Sequence, residues 1–364
     1  MEIENNELLP ITNHYTLSIT VDEETTINLN GNNRNHSFTH GFDTENMRDF
    51  ARLYYGKQWS EDTVKLFNKI EEKYLTRGAV RHHSSAYALY IKGLGQYLFE
   101  NTLPREIRSI LNNLPKDSVL ILDLDDAASM VPWELIHTDH NFLCLDHVLS
   151  RTKPDNVQRT TPTGKAVPLL LIADPTGDLY GSQIEANYII GQVRGSNFQV
   201  SRYGSEITKK RYFDLLKSGA YEIIHYSGHS ESSNEPGKSH HKFMDGELLG
   251  YEIERLKGHN MPKLVFSNSC QSAESNLEHD DAGNTSLAGS YLTAGVSSSI
   301  AAIWLVSDVG AAQFSSDFYR FMLFGSTVGE ALLRSRRSAF KRWGLQDFIW
   351  GSYIFYGDPY VRFF

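Results

Sequence analysis

The apolar positions of the chain fall into two regimes. In the C-terminal half, short apolar runs alternate with longer stretches whose apolar residues recur every three or four positions. PLLLIAD (168–174), EIIHYS (222–227), KLVFSNS (263–269), SSIAAIWLV (298–306) and SYIFYGD (352–358) are near-continuous runs, and FQVSRY (198–203) alternates. These predict strands. The segments 181–194, 206–218, 285–294, 310–324 and 327–343 lie between most of them and predict helices. Thr327 and Glu330 form a capping-box pair at the start of the last helix, and Gly295 is placed to end the 285–294 helix. Strand–helix alternation with unbroken apolar strands predicts an α/β fold, a mostly parallel central sheet flanked by helices on both faces.

The N-terminal half is less regular. Residues 15–30 (YTLSITVDEETTINLN) alternate and predict a hairpin or two edge strands, and 45–112 is mainly helical in pattern. SVLILDL (118–124) and FLCLDHVLSR (142–151) predict two further strands. TKPDNVQRTTPTGKA (152–166) is polar, carries two prolines and is the linker candidate. No internal repeat or low-complexity tract stands out.

Composition narrows the function classes. At 364 residues and 40% hydrophobic, the chain holds enough apolar matter for a sizeable core. A net charge of −9 argues against binding nucleic acid by itself. The apolar run Ile300 to Val306 is far shorter than the roughly 20 residues of a membrane helix. The acidic start MEIENNELLP has no secretory apolar core, and two cysteines make no disulfide framework. The expectation is a cytoplasmic protein with reduced thiols and no membrane partner.

In an open parallel sheet, ligands bind beyond the carboxyl ends of the strands. Asp174-Pro175 follows the first strand of the C-terminal half, Gly228-His229-Ser230 the third, Cys270-Gln271 the fourth, and Asp308 the fifth. A histidine and a cysteine leaving two strands at one edge suit nucleophilic catalysis: a thiolate attacks a carbonyl, and an imidazole manages the protons. Taken singly, Cys270 reads as a core thiol and His229 as a surface-loop histidine. The small polar residues Ser267, Asn268, Ser269, Gln271 and Ser272 around Cys270 suit a cleft better than a sealed core. Zinc held by His225, His229 and Cys270 is disfavoured, because strand residues four apart lie about 13 Å from each other; His225 reads as a core histidine. GKS within EPGKSHH lacks the upstream glycine of a phosphate loop. ESNLEHDD (274–281) reads as a solvated loop and RSRRSAFKR (334–342) as the solvated face of one helix.

At these residues a family resemblance enters. EIIHYSGHS, MDGELLGYEIERL (244–256), KLVFSNSCQSA and the long block from LAGSYLTAGVSSS to ALLRSRRSAF resemble the CHAT family, caspase-like cysteine peptidases related to caspases and separase. MVPWELIHTDHNFLCLDHVLSR (130–151) resembles the family's first half. The resemblance implies a caspase-like catalytic domain at 156–364, a noncatalytic pseudo-caspase-like half at 85–155 and a separate β/helical segment at 1–84. It implies Cys270 as nucleophile, His229 as its partner, and His225 as the family's noncatalytic histidine. It places the backbone of Gly228 and Ser230 beside the oxyanion site. Two departures stand out: Ser230 where the family usually has Gly, and Ser269 where Ala is common.

The resemblance further implies substrate binding by strand addition near Val306 and Asp308, with Ser267 at the cleft. Asp174 and Asp308 would offer carboxylates to a basic residue before the scissile bond. It implies no metal or organic cofactor, a protein substrate, an activating protein partner, and limited proteolysis in prokaryotic antiviral defence or regulated cell death. The loop 231–243 is expected to be mobile and to order on activation, and the last strand is a route to dimers. Three readings stay open on the residues alone: an endopeptidase, a caspase-like scaffold with little turnover, and a nonproteolytic thiol acyl-transferase.

Overall fold

The computed structural model describes residues 13–20, 25–31, 34–40, 83–129, 131–151, 166–233, 235, 237–269, 286–302 and 306–364. Cys270, residues 152–165 of the linker candidate and the acidic run 274–281 lie outside them. The N-terminal half contributes β1 (His14–Thr20), β2 (Thr25–Gly31), β3 (Arg34–His40), α1 (His83–Thr102), α2 (Arg105–Asn112), β4 (Val119–Leu124), α3 (Asp126–Ser129), α4 (Leu143–Asp146) and β5 (Val148–Arg151). The C-terminal half contributes β6 (Val167–Ala173), α5 (Tyr180–Val193), β7 (Phe198–Tyr203), α6 (Lys209–Leu216), β8 (Ile223–Ser227), β9 (Ser230–Glu231), β10 (His240–Phe243), β11 (Gly246–Leu249), α7 (Gly250–Glu254), β12 (Leu264–Asn268), α8 (Leu287–Ala294), β13 (Ser298–Ala302), α9 (Asp308–Leu323), α10 (Val328–Trp343) and β14 (Tyr353–Gly357).

One 11-stranded sheet runs β3-β2-β1-β4-β5-β14-β13-β12-β8-β6-β7. Within each half the main neighbours are parallel: β1 with β4, β4 with β5, and the series β13, β12, β8, β6, β7. β14 pairs in parallel with β5 but antiparallel with β13. The strands of β1, β4 and β5 therefore run opposite to those of β6, β8 and β12, and the two sets of carboxyl ends lie at opposite edges of one sheet.

The alternation of side chains along β6 builds the layers. Leu169 and Leu171 face Ala186, Ile189, Phe314 and Phe318 of α5 and α9, in a cluster that continues into Leu120, Leu122 and Trp133 of the other half. Leu170 and Ile172 face the other way, onto Tyr212 and Leu216 of α6, Ile253 of α7 and Tyr291 of α8. Each such fully buried side chain stabilises the fold by about 1.5–3 kcal/mol, so strands covered on both faces have no freedom to slip. The Thr327–Glu330 capping box forms on α10, and Gly295 ends α8 at φ 108°.

Four expectations change. FLCLDHVLSR is not one strand: its first part is the turn α4, and only Val148–Arg151 joins the sheet. The last strand is no free edge, because β5 and β13 occupy both its sides. The segment 231–243 is not one long loop, since β9 and β10 pair at its two ends in a small sheet with β11 and bury Ser239 and His241. The basic run on α10 is a solvated face only in part, with Lys341 and Arg342 exposed. Arg336 is buried and donates to the Tyr353 carbonyl, while Arg337 donates to the carbonyls of Leu145 and Asp146 and to Asp117. A guanidinium carries five donors on a long stem, so it can cross an apolar layer and saturate loose carbonyls at a helix end.

Candidate active site

The site builds up from two parallel neighbours. β8 and β12 pair from Ile223–Leu264 to Ser227–Asn268. His229 lies two residues beyond Ser227, and Cys270 two residues beyond Asn268 in sequence. The pairing therefore brings the ends of the two strands that precede the predicted histidine and cysteine in sequence, Ser227 and Asn268, to the same edge.

His229 is held by its backbone. Its carbonyl accepts from Lys242 N–H at 3.0 Å and from the Tyr226 hydroxyl at 2.8 Å. A Cβ at Gly228 would come within 2.8 Å of both Tyr226 Oη and Pro175 Cδ, so the turn admits only glycine. The imidazole is 39% exposed and its Nε2 lies 3.2 and 3.3 Å from the two carboxylate oxygens of Asp178. With Nε2–H donating there, the Nδ1 lone pair is free to take a proton. The Thr176 hydroxyl holds the Asp178 carboxyl below the usual range, and His229 adds to this.

Asp178 owes its place to Asp174. Asp174 is buried, has φ 59°, and its Oδ1 accepts from the N–H groups of Asp178 and Leu179, both at 2.9 Å. Its carboxylate organises the β6–α5 loop. Ser267 is buried within β12, with its hydroxyl 2.9 Å from Ser269 Oγ. Val306 is partly buried against the main core. Asp308 is exposed in the first turn of α9, where a Cβ on Gly181 would meet its carboxylate.

Beneath this edge lies a buried polar network absent from the sequence reading. Glu185 of α5 accepts from His225 Nε2 (3.1 Å), Ser227 Oγ (2.6 Å), Asn268 Nδ2 (2.8 Å) and Ser315 Oγ (2.5 Å). Burial pushes the Glu185 carboxyl up, but His225 and the hydroxyl donors outweigh it and the carboxyl ends below its ordinary value. His225 also bonds Tyr319 and stacks on Phe266, with ring centroids 4.9 Å apart. His225 and His229 thus face different partners, and among the described residues no three His, Cys, Asp or Glu side chains group to hold a metal ion. The signal for Glu185 was present: Ser182, Glu185, Ala186, Ile189 and Val193 are the buried residues of α5, which puts a carboxylate in core-face register. Asp178 had only its place in the loop after the first strand of the C-terminal half.

The model of the CHAT domain matches residues 90–358. The chain belongs to the CHAT family. No curated protein matches it in sequence. Its fold is similar to that of Saccharomyces cerevisiae separase in the separase–securin complex, with a TM-score of 0.56 at 12% identity. That likeness covers 96% of this chain and 30% of the separase chain. A structure described as a protease is similar at a TM-score of 0.50 and 13% identity, over 81% of this chain and 76% of that one. The CHAT unit here thus has a caspase-like protease fold, and it spans about a third of the separase chain. Among the described residues no helix is long and apolar enough to cross a membrane.

Proposed function

We propose that this CHAT protein is a cysteine endopeptidase working through Cys270 and His229. The observation that carries the reading is the adjacency of β8 and β12, whose ends precede His229 and Cys270 in sequence, with Asp178 on the imidazole's far nitrogen. His229 Nδ1 takes the thiol proton of Cys270, and the thiolate attacks the scissile carbonyl. Backbone amides flanking His229, at Gly228 and Ser230, together with that of Cys270, hold the developing oxyanion. The imidazolium then protonates the leaving amine, and water hydrolyses the thioester. Asp178 keeps the imidazole in the tautomer this sequence needs.

Asp308, exposed at the start of α9, is the acidic group proposed to meet a basic substrate residue, since Asp174 is engaged with its own loop. Strand addition beside Val306, limited proteolysis of protein substrates, and a role in prokaryotic antiviral defence or regulated cell death complete the proposal. Separase was crystallised with the protein securin, which supports control by a protein partner here as well.

The test is labelling with peptidyl acyloxymethyl ketones, followed by peptide mapping, on wild type and His229→Ala. Labelling of Cys270 alone, lost in the variant, is the expected result. Cys144 is fully buried, and burial pushes its thiol up to about 11, so it should stay unlabelled at neutral pH. A Cys270 that stays unlabelled with every peptide and candidate partner would favour the scaffold reading.

A further inference from the structure

The two positions where this chain departs from the family pattern, Ser230 and Ser269, meet each other in the fold. Ser230 Oγ donates to Ser269 Oγ at 2.7 Å, and Ser269 Oγ lies 2.9 Å from Ser267 Oγ. On the other side, Ser230 Oγ is 2.7 Å from Nδ1 of His241, its cross-strand partner in the β9–β10 ladder. All four side chains are buried.

Proton bookkeeping orders the chain one way. Ser230 has one hydroxyl proton and gives it to Ser269, so the bond to His241 must run from Nδ1–H to Ser230 Oγ. Ser269, which accepts from Ser230, also lies within hydrogen-bond reach of the Ser267 hydroxyl. His241 Nε2 then carries a bare lone pair, and it has no hydrogen-bond partner among the described residues. The opposite tautomer would strand a buried N–H instead, which costs more than an unpaired acceptor. The ring is fixed between Tyr226 and Tyr291, with centroids 3.9 and 5.9 Å away. Burial pushes His241 down to about 3, so the imidazole is neutral and serves as an anchor rather than an acid.

We infer that the Ser230–Ser269 hydrogen bond, anchored by His241, is a positioning bridge that ties the histidine-bearing exit of β8 to the cysteine-bearing exit of β12. Ser230 directly follows His229 and Ser269 directly precedes Cys270, so the bond joins the two catalytic backbones at one remove from the reacting atoms. Core packing fixes the strands, but β8 and β12 pair only to Ser227 and Asn268. Beyond that register the bridge restrains the separation of the two exits, and a small misplacement there is felt in the chemical step rather than in binding. The inference rests on the dyad reading above.

The test is a double-mutant cycle with Ser230→Ala, Ser269→Ala and the double variant, read in two ways. The first readout is Cys270 labelling by an acyloxymethyl ketone, split into the limiting rate and the half-saturating probe concentration. The second is the thermal unfolding midpoint. Each single substitution removes the bridging hydrogen bond and should slow the limiting rate about tenfold, with half-saturation changed less than about twofold. The double variant should be no slower than the slower single. Losses that multiply in the double variant, unchanged rates, or rates that fall only with the folded fraction would each overturn the bridge. If wild-type Cys270 is not labelled at all, the dyad reading fails. The bridge is then decided by unfolding alone: non-additive midpoints support the tie, additive ones reject it.

Discussion

The two halves place opposite chemistry at opposite edges of one sheet. At the carboxyl end of β5, Arg151 donates to Glu134 at 2.6 Å and to the carbonyls of Ser129 and Val131. The two side chains are 5% and 1% exposed. At the carboxyl end of β8, a buried carboxylate is also present, but Glu185 is saturated by hydroxyl, amide and imidazole donors, and the histidine above it stays open to solvent. The same sheet geometry thus serves as a static joint in one half and, on the proposed reading, as a site in the other. What differs is whether the charge is neutralised within the edge or held beneath it. A buried ion pair leaves nothing to react; a saturated network below a loop holds strand ends still while the loop's own imidazole remains free to exchange protons.

The largest way to break the comparison is at the imidazole. His229→Ala should lower peptide cleavage about 10³-fold while leaving the unfolding midpoint near that of wild type, measured by steady-state kinetics and calorimetry. The corresponding cut in the other half should do the reverse. Glu134→Ala removes the carboxylate from a buried guanidinium, and should cost about 3–5 kcal/mol in denaturant unfolding, with turnover per folded molecule little changed. A variant that lost activity without losing stability would put the first half inside the chemistry.

Acid distinguishes the halves less, because each carries a neutral buried histidine. Burial pushes His147, just before β5, down to about 4 and His241 down to about 3. The unfolded chain takes up protons at both below about pH 6.5, while the folded protein does not. Their contribution is complete above that pH and declines on acidification by about 1.4 kcal/mol per pH unit for each residue. The decline ends near pH 4 for His147 and near pH 3 for His241. Unfolding midpoints taken between pH 7.5 and 5 should fall, and the fall should be shallower in His147→Phe. The smallest effect is expected at Asp178, which is 64% exposed. Asp178→Ala should lower kcat about tenfold with KM unchanged, since a solvent-screened carboxylate orients the ring more than it binds it.

Much of the fold was legible because its strands are buried on both faces. FQVSRY matches β7 residue for residue, and PLLLIAD, EIIHYS and KLVFSNS match β6, β8 and β12 to within a residue or two. An unbroken apolar run has few places to go. FLCLDHVLSR misled for the same reason: its apolar residues are buried whether they form a turn or a strand. The small sheet β9–β10–β11 was hidden because its strands are two to four residues long and rich in serine and histidine, with no period to read.

Most helices and strands of the C-terminal half, the capping of α10 by Thr327 and Glu330, and the positions of His229 and Cys270 in sequence just after two apolar runs follow from local pattern and spacing alone. These are short-range properties: propensity, periodicity and capping act over a few residues. Tertiary structure decided which strands are neighbours, that the two halves run in opposite directions, and which carboxylate stands beside which imidazole. Asp178 meets His229 across 51 positions, Glu185 meets Ser315 across 130, and Ser230 meets Ser269 across 39. No local rule encodes those distances. They arise when the core closes and most buried polar groups find a partner within hydrogen-bond reach.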